Sequence, residues 1–107
     1  MILAQDAASL AIPLEPLPSG QVLSGSPLAG FIELTETTGV WEHTPGTSTD
    51  VEADEVFVVL SGSATLSFTD PPLDPVELRA GAVVRLTEGM HTVWTVRETL
   101  RKVYVAG

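Results

Sequence analysis

Cysteine is absent from this chain. That excludes a disulfide framework, thiolate metal sites and a cysteine nucleophile, and it suits a reducing compartment. Positive charge is scarce: five Lys and Arg face 14 Asp and Glu, for a net charge of −9. A surface this negative repels phosphate backbones and anionic lipid heads, so neither nucleic acid nor a membrane is expected as a partner. The charge serves solubility instead. No stretch approaches the ~20 apolar residues needed to span a bilayer. Residues 1–14 are apolar but hold no Lys or Arg and are broken by Gln5, Asp6 and Pro13, unlike a secretory signal. A cytoplasmic location is expected. Helical periodicity is missing from every window. Ser61, Ser63 and Ser67 stand in no G-x-S-x-G elbow, neither histidine has a triad context, and the glycines form no phosphate loop.

What remains is a chain of 107 residues, 44% of them hydrophobic. That is one domain, long enough to bury one core. Its signals are those of strands. Residues 31–36 (FIELTE) alternate, and residues 56–60 form a β-branched and aromatic run. Residues 64–68 follow directly after Ser61 and Gly62, which predicts a hairpin. Residues 70–75 (DPPLDP) read as a loop, because proline removes a ladder donor. Residues 76–78, 83–86, 93–96 and 101–105 read as further strands, with breaks at residues 79–81, 88–89 and 97–99. Residues 1–20 read as a proline-broken lead-in, with an edge strand near residues 1–4 or a turn near residues 6–10, and residues 23–29 are turn-rich. Many short strands with Gly and Pro turns predict a sandwich or barrel. The division expected is a lead-in with edge strands over residues 1–30 and a barrel over residues 31–107.

Two blocks are more specific: GVWEHTPGTSTDVEADEVFVVLSG (residues 39–62) and GAVVRLTEGMHTVWTVRETLRKVY (residues 81–104). They hold, in order, Gly39-Val40-Trp41-Glu42, Thr44-Pro45-Gly46, Asp54-Glu55, Leu60-Ser61-Gly62, Ala80-Gly81, Gly89, Trp94-Thr95-Val96, Glu98-Thr99 and Arg101-Lys102-Val103-Tyr104. This order and spacing resembles a small single-domain cupin. More narrowly it resembles the (S)-ureidoglycine aminohydrolase-like and ethanolamine-utilisation-type branch. The resemblance implies an all-β fold, a double-stranded β-helix or jelly-roll barrel, built as a container for a small molecule or a metal.

In that family a glutamate precedes a glycine with six residues between them, as Glu55 and Gly62 do here. The family also sets two histidines, one residue apart, ahead of that glutamate. Here those places fall on Ser48 or Thr49 and on Asp50 or Val51. In the second motif Gly81 and Gly89 match, Thr87 replaces a proline, and Thr92 stands where a histidine belongs, with His91 one residue early. A one-residue shift in a strand turns a side chain to the opposite face. No cofactor is therefore favoured. A divalent metal such as Mn, Ni, Fe or Zn would need His43, Glu55 and His91 as its ligands, with His91 re-aimed by a bulge.

The candidate site follows from faces. Glu55 leads directly into an apolar strand, where desolvation would make it an acid or base, and it is the candidate catalytic residue. Lys102 and Tyr104 share one face of the last strand, opposite to Arg101, and Lys102 is placed to pair with Glu55 across the barrel. Trp41 and Trp94 supply flat apolar walls with one N–H donor each. Trp41, Glu55, Trp94, Lys102 and Tyr104 are thus the expected ligand-binding residues. The leading expectation is a small polar ligand bound without the usual metal. The alternatives are a Glu55-dependent or metal-assisted enzyme on a small nitrogenous or carbohydrate-like substrate, and a structural dimer. By the resemblance, a homodimer is expected, with residues 1–10 lying across the neighbour.

Overall fold

Two strands of 16 residues organise the chain: β6 (Glu55–Asp70) and β9 (His91–Ala106), paired antiparallel along nearly their whole length. The computed structural model describes residues 4–107. Around the long pair lie β1 (Glu15–Pro16), β2 (Val22–Ser24), β3 (Leu28–Glu33), β4 (Thr38–His43), β5 (Gly46–Val51), β7 (Pro72–Arg79) and β8 (Val83–Leu86). The single helical element among the described residues is a 3-10 turn at Ser19–Gln21.

Each long strand feeds both layers of a roll. β3 and β4 join the C-terminal half of β9, which pairs with the N-terminal half of β6 and, through it, β8. β2 and β5 join the N-terminal half of β9, which pairs with the C-terminal half of β6 and, through it, β7. The result is one curled, antiparallel jelly roll. Phe57, Leu86 and Leu100 from the first layer meet Leu66, Leu78, Trp94 and Val96 from the second in a common core.

Three local expectations change. Ser61 and Gly62 do not turn a hairpin, because β6 continues through them. Gly62 adopts φ +101°, and the pairing with β9 shifts register there. The bulge also changes which residues face inward, from Phe57 and Val59 before it to Ala64 and Leu66 after it. Likewise Arg97, Glu98 and Thr99 do not end a strand. They are the exposed corner of β9, whose inward-facing buried residues keep one parity throughout: Thr92, Trp94, Val96, Leu100 and Lys102, while Arg101 is buried on the outer face. Finally, residues 70–75 are mostly strand. A tight turn at Asp70 and Pro71 leads straight into β7, which begins at Pro72. β7 pairs with β6 alone, and an edge strand accommodates Pro72 and Pro75 because its outer amides need no partner.

The lead-in adds β1 and β2 to the same sheet, and ahead of β1 it passes over the outer face, with Pro13 on Gly30 of β3 and Ala7 on Arg101 of β9. β3 begins at Leu28, so the expected boundary at residues 30/31 falls inside a strand. Gly30 permits the crossing, since a Cβ there would lie 2.0 Å from the Pro13 carbonyl oxygen. Asp6 caps a turn, its carboxylate accepting from the Ala8 N–H and the Ser9 hydroxyl. Arg101 secures that turn: it donates to the Ala7 carbonyl and to Glu42, each at 2.9 Å. Ala7 is therefore held on its own β9, and the strand expected near residues 1–4 lies largely outside the described residues.

Candidate functional site

Antiparallel register brings the aromatic residues and Lys102 to one end of the roll. Trp41 is paired with both Phe31 and Lys102, and Tyr104 with both Gly39 and Phe57. Residues so paired share a face, which here is the inner one. Gly39 makes room for the Tyr104 ring, because a Cβ there would sit 2.3 Å from the phenol oxygen. Between the layers lies a cavity of about 200 Å³ lined by Phe31, Trp41, Asp50, Glu52, Glu55, Trp94, Lys102 and Tyr104. A larger concavity of about 430 Å³, between the lead-in and β3, shares Phe31 and Trp41, but its only ionisable lining residue is Glu15. The chemistry is concentrated in the smaller one.

All five residues expected to bind ligand line that cavity. Lys102 is 5% exposed, and its ammonium lies 2.6 Å from a Glu55 carboxylate oxygen. The same nitrogen stands 4.7, 4.4 and 4.8 Å from the ring centres of Trp41, Phe57 and Trp94. Negative π faces around a desolvated ammonium contribute up to about 2 kcal/mol each in favourable cases. The rings also pack on one another, Trp41 to Trp94 at 5.2 Å and Phe57 to Trp94 at 5.7 Å. Burial, with Glu33 and Glu55 nearby, pushes the Tyr104 phenol above its ordinary value, so its hydroxyl keeps its proton at neutral pH.

Two acidic residues were not anticipated. Glu52 is 8% exposed; one of its oxygens, Oε2, accepts from the Thr92 hydroxyl at 2.7 Å and from the Trp94 indole N–H at 3.2 Å. Burial raises its carboxyl above the usual range, and nearby Asp50 adds to the rise, while Thr92, Lys102 and Trp94 oppose it. Asp50 stands at the exposed rim, yet desolvation by the walls raises its carboxyl too, with Glu55 adding to this and the Val51 N–H and Lys102 opposing it. Glu52 follows β5 in a loop, where no alternation marks its direction. Its one sequence signal is the acidic spacing of Asp50, Glu52 and Glu55 ahead of an apolar strand.

His43 and His91 do not join this group. His43 is 1% exposed, with Nδ1 2.7 Å from the Thr44 carbonyl oxygen and Nε2 2.9 Å from the Ser48 hydroxyl. A carbonyl only accepts, so Nδ1 carries the proton and Nε2 accepts from Ser48. Nδ1 has no lone pair to give, and that of Nε2 is taken up by Ser48. His91 is exposed, while Thr92, one residue on, faces inward, as strand alternation requires. Among the described residues no group of three His, Cys, Asp or Glu is arranged to hold a metal ion. The set His43, Glu55 and His91 is therefore not assembled. Within the cavity the Lys102 ammonium already stands against Glu55, so the residues present do not fit a resident divalent cation.

Burial also pushes His43 below its ordinary pKa of 6.5, against a smaller opposing effect of the Thr44 hydrogen bond. A depressed folded value means that the unfolded chain takes up the proton first. The stability contributed by neutral His43 is complete above about pH 6.5 and is lost as pH falls towards the folded value. Asp50 and Glu52, with raised values, act with the opposite sign. Thermal melts from pH 7 to pH 5 should therefore show a smaller acid-side change in a His43→Asn variant, once each protein is referred to its own pH 7 value. Equal slopes in the two proteins would contradict the assignment.

Comparison with known proteins agrees with this fold. The EutQ-like cupin domain family matches residues 33–104. EutQ of Clostridium difficile superposes with a TM-score of 0.67 at 17% identity, over 85% of this chain and 74% of that one. A DUF861-family protein of unknown function from Pseudomonas syringae pv. tomato gives a TM-score of 0.76 at 20% identity, over 94% of this chain but only 46% of that one. A cupin-like protein of Thermotoga maritima gives 0.65 at 12% identity, over 92% and 80% of the two chains. No curated protein matches the sequence. With a roll fed by two bent strands, a cavity at its end and a family match across 33–104, this chain belongs to the EutQ-like cupin domain family.

Proposed function

We propose that this cupin binds a small polar molecule in the cavity between Trp41, Glu55, Trp94, Lys102 and Tyr104, without a metal. The observation that carries the reading is the Lys102 ammonium, 2.6 Å from Glu55 and faced by three aromatic rings. A fixed organic cation stands against the one carboxylate retained from the family's ligand pattern. Aromatic walls with a few converging polar groups are the usual make-up of a small-molecule site. A cavity of about 200 Å³ corresponds to six or seven water molecules at liquid density, so the ligand is small. The test has two parts. Protein purified without chelator and then offered Mn, Ni, Fe and Zn should hold no stoichiometric metal. In a screen of small polar compounds, those that bind should shift the Trp94 indole N–H resonance and lose that effect in Trp41→Ala. Stoichiometric metal, or hits that leave the indole unchanged, would end the proposal.

A second reading, an enzyme on a small nitrogenous or carbohydrate-like substrate, is favoured by one observation: the buried, raised carboxyl of Glu52. A carboxyl poised nearer neutrality serves as acid or base. Glu55, held by Lys102, is less free for that role than Glu52. In this reading, Glu52→Gln abolishes turnover of the bound compound while leaving the fold intact; unchanged turnover would exclude it.

A further inference from the structure

The charges lining the cavity do not balance. Three carboxylates, Asp50, Glu52 and Glu55, face one cation, Lys102, and no other Lys, Arg or His lines the space. Lys102 is committed to Glu55 at 2.6 Å. Asp50 and Glu52 are left without a cationic partner among the described residues. Arg97 is engaged with Glu77, and Arg101 with Glu42 on the outer face.

Glu52 shows which side lacks a partner. Both of its side-chain hydrogen bonds fall on Oε2. Its other oxygen, Oε1, has no hydrogen-bond partner among the described residues. No fully buried side-chain oxygen or nitrogen among the described residues lacks a partner, so Oε1 keeps some exposure, and Glu52 lines the cavity. A carboxylate in a residue 8% exposed, held through one oxygen by Thr92 and Trp94 and with its other oxygen unbonded, is a preformed acceptor. Trp41 and Trp94 line the same cavity, and aromatic rings favour positive charge nearby.

Resting on the small-ligand reading above, we infer that the occupant is a small organic cation bearing N–H donors. One N–H is donated to Glu52 Oε1, Asp50 contributes at the rim, and Trp41 forms a wall of the site. A quaternary ammonium has no N–H to donate and fits poorly. An anion meets two unpaired carboxylates, which repel it.

The experiment uses matched probes on the whole chain: n-butylammonium with n-butanol and butyrate, and methylguanidinium with N-methylurea and acetate. Binding is read by calorimetry and by the indole N–H resonances of Trp41 and Trp94. Each cation is expected to bind at least tenfold more tightly than its neutral and anionic counterparts. Glu52→Gln, which keeps an acceptor for Thr92 and Trp94, should lose at least tenfold of that affinity. Asp50→Asn, at the rim where folding is least at risk, should lose a smaller part. If butanol, urea or the carboxylates bind in the cavity as well as the cations do, or if Glu52→Gln binds cations unchanged, the inference fails and the small-ligand reading stands. If no member of either series perturbs the indoles, both fall.

Discussion

Gly62→Ala is expected to be severely destabilising. The residue holds φ +101°, a conformation that costs an L-residue about 1–3 kcal/mol. The added Cβ would also lie 2.2 Å from the Thr99 carbonyl oxygen and 2.7 Å from the Leu100 Cα. Both are backbone atoms of β9, so no side chain can swing aside. Relief requires parting β6 from β9 at the bend, where the two layers of the roll are joined. We expect a loss of at least about 4 kcal/mol, a large share of the 5–15 kcal/mol that holds a domain of this kind together. In a thermal melt that corresponds to a fall of at least about 15 °C. Gly81→Ala is the control. It has a similar backbone (φ +94°) but nothing within 4 Å of the added carbon, so it should lose only the conformational part, about 1–3 kcal/mol. Equal melting shifts in the two variants would show that the bend does not depend on close approach of the strands.

Lys102→Met should lower the melting temperature by about 10–20 °C. Removing one member of a buried ion pair costs about 3–5 kcal/mol, because the other charge is left unpaired. Here Glu55 retains 20% exposure of its side chain and borders the cavity, so water reaches it and the loss is nearer 2–3 kcal/mol. The three rings also lose the cation they face. Adding Glu55→Gln should restore most of the stability and bring the double variant to within about 1 kcal/mol of the parent. A single variant that melts within about 3 °C of the parent would show that the pair contributes little. A double variant no better than the single would place the loss in the rings and not in Glu55.

Much of this was legible where a strand keeps its alternation. The spacing of β9 places Lys102 and Tyr104 on one face, and Glu55 at the mouth of an apolar strand is the natural partner for that lysine. The same alternation turns Thr92 inward and His91 outward. Legibility failed where the backbone departs from regular period two. Ser61 and Gly62 carry the composition of a turn, and only the close approach of Thr99 makes that glycine a bend inside a continuous strand. Pro72 and Pro75 read as loop because a proline in an interior strand removes a needed donor. That β7 lies at an edge is a property of the whole sheet, not of the local residues. Glu52 was missed because it follows β5 in a loop. Its direction is set by Thr92 and Trp94, some 40 residues further along the chain.

The two prolines of β7 have a consequence for how copies of this chain meet. β7 bonds to β6 on one side only, and Pro72 and Pro75 offer no amide hydrogens to an incoming strand. That border is a poor template for a ladder shared between molecules, and strand addition is disfavoured there. At that border, any contact between copies is left to side chains. Val58 is paired with Val83 on β8, and both are exposed, at 37% and 67%.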